Sequence, residues 1–399
     1  MKSAIFLQRV ILNNYKSIGS CDVKLSALTY LVGANGSGKS NFLDALHLVR
    51  DALSSSLDNA MNERGGLGAV RRRSNGHPTH FSIDLQFVLP SGEECRYVFA
   101  VGALSSGGYE VRKERCSIGG KGKGPFFSLE KGKLLETSEE TFPAVTPDRL
   151  ALVSASGLAA FRPVFDALTA MGFYNLNPKV IRELQKPQDG RLLKPAGENI
   201  ASVIGHLTRT NPSAIAIIEE YLHAVVPMVH GVEREAVGPM ESLVFQQDMA
   251  GAEHRWRFPA QNMSDGTLRA LGILTALFQG NSDYSPSLIG IEEPETALHP
   301  GASAALREAL ERASEHTQII VTSHSPDLLD DMEIIAEQLL VVASDAGVTR
   351  IVPLGKGARD AMREHLCSAG ELLRLDQLQP EPLPSVVVAT NQSDFFEEK

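Results

Sequence analysis

The sequence predicts a mixed α/β protein with a central sheet, an antiparallel β flank and an inserted helical lobe. Three observations carry this. The compact apolar run at 28–32 ends in a glycine-rich turn at 33–38. A helical stripe follows it, formed by Phe42, Leu43, Leu46, Val49 and Leu53 at i, i+3, i+4 spacing. Residues 81–88 alternate with period two, and 95–101 resembles their partner across the turn Pro90-Ser91-Gly92. From Leu268 onwards helical and strand patterns alternate, which implies parallel strands covered by helices.

Taken in order, 4–12, 23–25 and 28–32 read as short strands, then the glycine turn and a helix from Lys39. Hairpin-like sequence runs to about 135, with the loop 119–125 between strands. Residues 148–235 look mostly helical and are broken by Pro163, Pro178, Pro187, Pro195, Pro212 and Pro227; a helix rarely runs through a proline unkinked. No heptad pattern survives three repeats, so a long coiled-coil arm is not expected. Residues 268–278 form a helix, 288–291 a buried strand and Ala302 to Ala313 a helical stripe. A second strand lies at 319–322. These patterns divide the chain into 1–140, a first lobe with the β flank; 141–260, a mainly helical insertion; 261–360, a second lobe; and 361–399, a C-terminal helix and mobile tail with a short strand at 386–388.

The 399-residue chain is long enough for two or three lobes at ~150 residues each. Its 38 Lys and Arg against 48 Asp and Glu give a formal charge of −10, which argues against an indiscriminately basic coat for nucleic acid. The four cysteines show neither CxxC spacing nor pairing with histidine. Zinc is therefore not expected, and scattered thiols fit a reducing cytosol. No apolar run approaches the ~18 residues of a membrane span. The N-terminus lacks the apolar core of a secretory signal.

Four segments carry chemistry. Residues 33–40, Gly-Ala-Asn-Gly-Ser-Gly-Lys-Ser, fit G-x-x-x-x-G-K-[ST] between a strand and a helix. Glycines let backbone N–H groups surround phosphates, Lys39 brings a point charge, the Ser40 hydroxyl suits Mg²⁺, and the helix N-terminus faces the anion. Gly33, Asn35, Gly36, Ser37, Gly38, Lys39, Ser40 and Asn41 are the candidate nucleotide-binding residues. Next, the strand at 288–291 runs into Glu292-Glu293-Pro294, where α/β sheets bind ligands. Glu292 suits metal binding and Glu293 the polarisation of an attacking water. Third, Asn262-Met-Ser264-Asp265-Gly266 precedes a helix with Ser264 as N-cap, a second anion-binding pattern. Fourth, Thr322-Ser323-His324-Ser325-Pro326 follows the last buried strand; taken alone, His324 there is more often a structural imidazole than a γ-phosphate contact.

Loop, capped serine, carboxylate pair and histidine, in this order, resemble the ABC-class ATPases. Four segments resemble their RecF/SMC/OLD branch in particular: Asn14-Tyr15-Lys16-Ser17, the Gly33-Ala-Asn35-Gly loop, Ile291-Glu-Glu-Pro-Glu295 with Leu298-His299-Pro300, and Thr322-Ser-His-Ser-Pro326. The resemblance covers about 1–50 and 260–345. It implies an ABC-type P-loop head and a homodimer sandwiching two ATP molecules with Mg²⁺, open to higher oligomers. Each ATP would sit on 33–40 of one chain and face Ser264, Asp265 and Gly266 of the other. It implies Glu293 as base, His324 as γ-phosphate sensor, and the loop 295–299 crossing the interface. Tyr15 and Lys16 lie where the branch contacts nucleotide. The branch's Q-loop glutamine stays unassigned between Gln86 and the segment 173–178.

The resemblance further implies a cytoplasmic ATPase linked to DNA repair or defence against phage, with double-stranded DNA or a separately encoded effector as partner. Arg71-Arg72-Arg73 and the Lys121/Lys123 loop suit DNA phosphates and equally suit solvated loops. A nucleotide-gated scaffold controlling such an effector is the alternative. A transporter's nucleotide-binding subunit fits less well, since it calls for Asp-Glu after the strand. The 75 residues after His324 show no dense acidic metal cluster, which argues against a fused nuclease. The segment from Leu375 is a candidate docking strand.

Overall fold

The computed structural model describes residues 5–73, 78–120, 124–249, 251, 254–280 and 284–380. Strands β1 (Leu7–Tyr15), β2 (Ile18–Lys24) and β3 (Leu28–Val32) lead into α1 (Lys39–Ser54), α2 (Leu57–Asn62) and α3 (Leu67–Val70). Strands β4 (His80–Val88), β5 (Glu94–Ala103), β6 (Tyr109–Ile118), β7 (Phe126–Glu130) and β8 (Lys133–Thr137) form an antiparallel meander. Then come α4 (Ala151–Ala155), α5 (Arg162–Thr169), β9 (Gly172–Tyr174), α6 (Pro178–Arg182), α7 (Ile200–Thr210) and α8 (Pro212–Val225). Strands β10 (Val229–Val237), β11 (Met240–Gln247) and β12 (Trp256–Pro259) make a second, three-stranded antiparallel sheet. The chain continues through α9 (Asp265–Phe278), β13 (Leu288–Glu292), α10 (Ser303–Ser314) and β14 (Gln318–Ser323). It goes on through β15 (Leu339–Asp345), β16 (Val348–Pro353), α11 (Lys356–Arg363) and α12 (Ala369–Arg374).

The main sheet has 13 strands in the order β8-β7-β6-β5-β4-β1-β2-β16-β15-β3-β14-β13-β9. Strands β15, β3, β14, β13 and β9 run parallel to one another. Their apolar runs do not alternate because both faces are covered. Leu31, Leu288 and Ile320 pack on the side of α1 and the β flank. Tyr30, Val32, Ile291 and Val321 pack on the side of α7 to α10. The β flank alternates in sequence because it belongs to the antiparallel half of the sheet.

The helical expectation for 148–235 holds for α4 to α8 and gives way at two places. Gly172–Tyr174 joins the parallel sheet beside β13, and the chain from Val229 is a β-hairpin turning at Gly238. The three-residue β9 has no legible period, and the longer β10 and β11 do not alternate between buried and exposed positions. The flank is tied to this segment by Glu114 of β6. Its buried carboxylate accepts the backbone N–H groups of Ala151 and Leu152 at the start of α4 and the hydroxyl of Tyr97. Burial pushes that carboxyl up to about 7. The Lys121/Lys123 loop and the tail strand at 386–388 lie outside the described residues. Among those described, no helix is long and apolar enough to cross a membrane, and the 16-residue α1 belongs to the head itself.

Candidate nucleotide site

The parallel strands end along one edge of the sheet. Register pairs Ser323 with Val32, Glu292 with Thr322, and Ile291 with Tyr174. The residues that follow Val32, Ser323 and Tyr174, together with Glu292 itself, therefore emerge side by side at the carboxyl ends, where open α/β sheets bind ligands.

The loop 33–40 connects β3 to α1. Gly36 and Gly38 have φ of 77° and 104°, a region in which side chains are strained. A Cβ on Gly38 would sit 2.1 Å from Thr349 Oγ1, and one on Gly33 would sit 2.1 Å from the Val342 carbonyl oxygen. Two elements distant in sequence thus press against the loop. Thr349 donates its hydroxyl to the Ser37 carbonyl (2.7 Å), shares a bond with Ser17 Oγ (2.6 Å), and Asn41 Nδ2 donates to Ser17 Oγ (2.6 Å). Gly38→Ala should cost about 1–3 kcal/mol from backbone strain alone and displace Thr349. A thermal unfolding midpoint lowered by several degrees, with weakened nucleotide binding, is the expected result; an unchanged midpoint would contradict this packing.

Lys39 is almost wholly buried, and its ammonium donates to the carbonyls of Gly33 (2.8 Å) and Ala34 (3.1 Å), with Glu293 Oε1 at 4.0 Å. Burial lowers its pKa, and Glu293 and Glu295 oppose that. Ser40 Oγ donates to Glu292 Oε2 at 3.0 Å. One hydroxyl and one carboxylate oxygen side by side form an incomplete oxygen set. Mg²⁺ favours such a set, because it fills its remaining positions with water and substrate phosphates.

Glu293 has a φ of 43°, in the left-handed region. Its N–H donates to the Thr322 carbonyl (3.0 Å) and to Thr322 Oγ1 (3.1 Å). Arg269 of α9 donates through one guanidinium nitrogen to the carbonyls of Glu292 and Glu293, both at 3.0 Å, and through another to the Leu176 carbonyl (2.7 Å). The strained turn and the arginine aim the Glu293 carboxylate between Lys39 and His324, whose Nδ1 lies 3.4 Å from Glu293 Oε1. Lys39, Ser40, Glu292, Glu293 and His324 are thereby brought into one constellation.

Ser264, Asp265 and Gly266 sit elsewhere. Ser264 caps α9 by accepting the Thr267 N–H (3.1 Å), and Asp265 is paired with Arg182 (2.5 Å). A Cβ on Gly266 would lie 2.5 Å from the carbonyl oxygen of Ala297, itself at φ 67°. So the segment packs against the loop after Pro294, and among the described residues no hydrogen bond or ion pair joins it to 33–40.

Tyr15 is fully buried with its hydroxyl on Asp44 (2.6 Å), and Lys16 pairs with the same carboxylate (2.6 Å); both are occupied in bracing α1. Gln86 lies in β4, five strand positions from β3, or about 24 Å of sheet at ~4.8 Å per strand. On the side of β13 away from Thr322, the register ends with Ile291 beside Tyr174, and the exposed Asn175 follows directly after β9. Arg269 and Thr349 had no distinguishing sequence pattern, since their places depend on strand order; Glu295 lies in the 291–295 segment and Asn175 in 173–178, but neither pattern assigns them a contact.

Two family models match the chain: "AAA ATPase domain" over 6–114 and "AAA domain, putative AbiEii toxin, Type IV TA system" over 195–330. Together they span more than half of it and bracket both halves of the site. The chain belongs to the ABC-class ATPases of the RecF/SMC/OLD branch. This ABC-class head shares its fold with an SMC head bound to the C-winged helix domain of ScpA, at TM-score 0.55, 17% identity, 88% coverage of this chain and 99% of that one. An SMC head derived from Pyrococcus furiosus, bound to the C-terminal domain of ScpA, matches at TM-score 0.53 and 14% identity, covering 90% of this chain and 99% of that one. Among curated relatives, the DNA replication and repair protein RecF of Aliivibrio fischeri is 41% identical over 44 residues, 11% of this chain and 12% of that protein. An ABC transporter A family member 5 of Arabidopsis thaliana is 33% identical over 81 residues, 20% of this chain and 8% of that protein. The chain thus spans only about a tenth of the length of these relatives.

Proposed function

We propose that this head hydrolyses ATP within a homodimer and couples nucleotide state to engagement of DNA or a partner protein, in DNA repair or anti-phage defence. The observation that carries the reading is the pairing of Ser40 with Glu292 beside Lys39, Glu293 and His324, on three segments far apart in sequence. In this reading Gly33, Asn35, Gly36, Ser37, Gly38 and Asn41 shape the phosphate loop. Lys39 leaves the carbonyls of Gly33 and Ala34 for the β- and γ-phosphates. Ser40 and Glu292 hold Mg²⁺, which would supply charge neutralisation on the phosphates. Glu293 takes the proton of the attacking water, and Asn175 stands in the place of the branch's Q-loop glutamine. His324, with Nδ1 turned to the carboxylates, offers Nε2 to the γ-phosphate.

The separation of Ser264, Asp265 and Gly266 from the loop of the same chain supports a role for them on the ATP of the second subunit. The repair function in RecF's name and the toxin system in the family description support a link to DNA or defence. ScpA domains bound to the SMC heads support a protein partner. The alternative, a nucleotide-gated scaffold that controls a separately encoded effector without touching DNA, has the same chemistry.

ATP turnover with and without duplex DNA, using Glu293→Gln as blank, separates the two. Stimulation severalfold by DNA supports the DNA-linked reading and directs charge reversal to Arg71, Arg72 and Arg73. Turnover indifferent to DNA favours the scaffold, and the absence of turnover above the blank rejects ATP hydrolysis itself.

A further inference from the structure

We propose that Glu295 is the positioning residue of the switch segment, setting His324 through hydrogen bonds from a buried carboxylate. This rests on the ATPase reading for its consequence and on geometry alone for its structural part. The Glu295 side chain is 8% exposed, although it follows an acidic turn that would otherwise be solvated. Its Oε1 accepts the Ser323 hydroxyl (2.7 Å) and the His324 backbone N–H (3.2 Å), and lies 3.8 Å from His324 Nδ1. Ser323 Oγ in turn accepts the Ser325 N–H (3.1 Å), so one carboxylate oxygen organises three consecutive residues from the last position of β14 onwards.

A buried charge is costly without such partners. Here Lys39 and Arg269 lie close enough to feel it. Its second oxygen is buried with no hydrogen-bond partner among the described residues, so the acceptor is not exhausted by the fold. On its other side, two residues on, Ala297 abuts Gly266. Glu295 therefore joins the loop that contacts the 264–266 segment to the segment bearing the sensor histidine, and it acts through His324 without reaching the reacting atoms itself.

The test uses the full chain, selectively labelled with ¹⁵N-histidine, and the variants Glu295→Gln, Glu295→Ala and His324→Ala. A glutamine keeps Oε1 as acceptor for both donors, whereas alanine removes it. The His324 amide resonance, identified by its loss in His324→Ala, should shift in Glu295→Ala and hold nearly still in Glu295→Gln. In turnover, Glu295→Ala should lower kcat about tenfold or more, with KM for ATP within about twofold, while Glu295→Gln retains at least about half. Adding Glu295→Ala to His324→Ala should cost nothing further, since both remove one function. An amide that does not move in Glu295→Ala overturns the proposal whether or not the protein turns over. So does Glu295→Gln as slow as Glu295→Ala, or an additive double variant. A wild-type chain without turnover would defeat the ATPase reading alone, leaving the amide shift to decide this one.

Discussion

Lys39→Ala should abolish nucleotide binding while leaving a folded protein. The ammonium is the one side-chain cation held inside the loop 33–40, where it rests on the carbonyls of Gly33 and Ala34. Those contacts are the kind a phosphate displaces, because ammonium to phosphate is a charge-assisted bond in a partly desolvated pocket. At about 1.5–3 kcal/mol per such bond, losing two of them lowers affinity by roughly 10²- to 10⁴-fold. Titration with a fluorescent ATP analogue reads this directly. In the unliganded protein the two carbonyls lose one shared donor, and Thr349, Ser17 and Asn41 still brace the loop. The unfolding midpoint should therefore stay within a few degrees. Retained affinity would mean that the loop does not cradle phosphates.

Glu293→Gln separates binding from chemistry. The amide is nearly isosteric, and the main-chain contacts that hold the turn, Glu293 N–H to Thr322 and its carbonyl to Arg269, do not involve the carboxylate. What is lost is the proton acceptor, and general-base catalysis accounts for about 10²- to 10⁴-fold in rate. Turnover should fall by that factor with ATP affinity preserved or raised, because a negative charge near the γ-phosphate has been removed. If ATP is sandwiched between subunits, the variant should accumulate as dimer when ATP and Mg²⁺ are present, and run as monomer without them, in light scattering coupled to gel filtration. Wild-type turnover in Glu293→Gln would remove Glu293 from the role of base. A blocked variant that stays monomeric with ATP would remove the sandwich.

Some of this was legible in the sequence because the signals are local. The phosphate loop needs glycines, a lysine and a serine within eight residues, and a buried strand before and a helix after them. Leu28–Val32 and Lys39–Ser54 supply these in one contiguous stretch. Glu292 and Glu293 likewise announce themselves at the end of an apolar run, and Ser264 as a cap at the start of α9. The order of those segments then resembled one branch of ATPases. β9 was not legible, since three residues show no period, and the second sheet was not, since β10 and β11 do not alternate between buried and exposed positions.

Tertiary structure decided what lies beside what. Glu292 meets Ser40 and Glu293 meets Lys39 and His324 only because β3, β14 and β13 are neighbours in that order. Strand order is set by long-range pairing across more than 250 residues of chain, as the 252-residue separation of Ser40 and Glu292 shows, and no local pattern encodes it. The same cause places Asn175 directly after β9, which pairs with β13, and Gln86 far from both, although glutamine is the residue the family pattern would favour. It also gives Arg269, Thr349 and Glu295 their contacts: Arg269 and Thr349 are ordinary polar residues in sequence, Glu295 belongs to the 291–295 segment, and the fold brings each against backbone groups of distant segments that need a partner. The candidate residue types for phosphate binding and proton transfer were readable along the chain, because those signals are local; which of them share a site followed from long-range strand pairing.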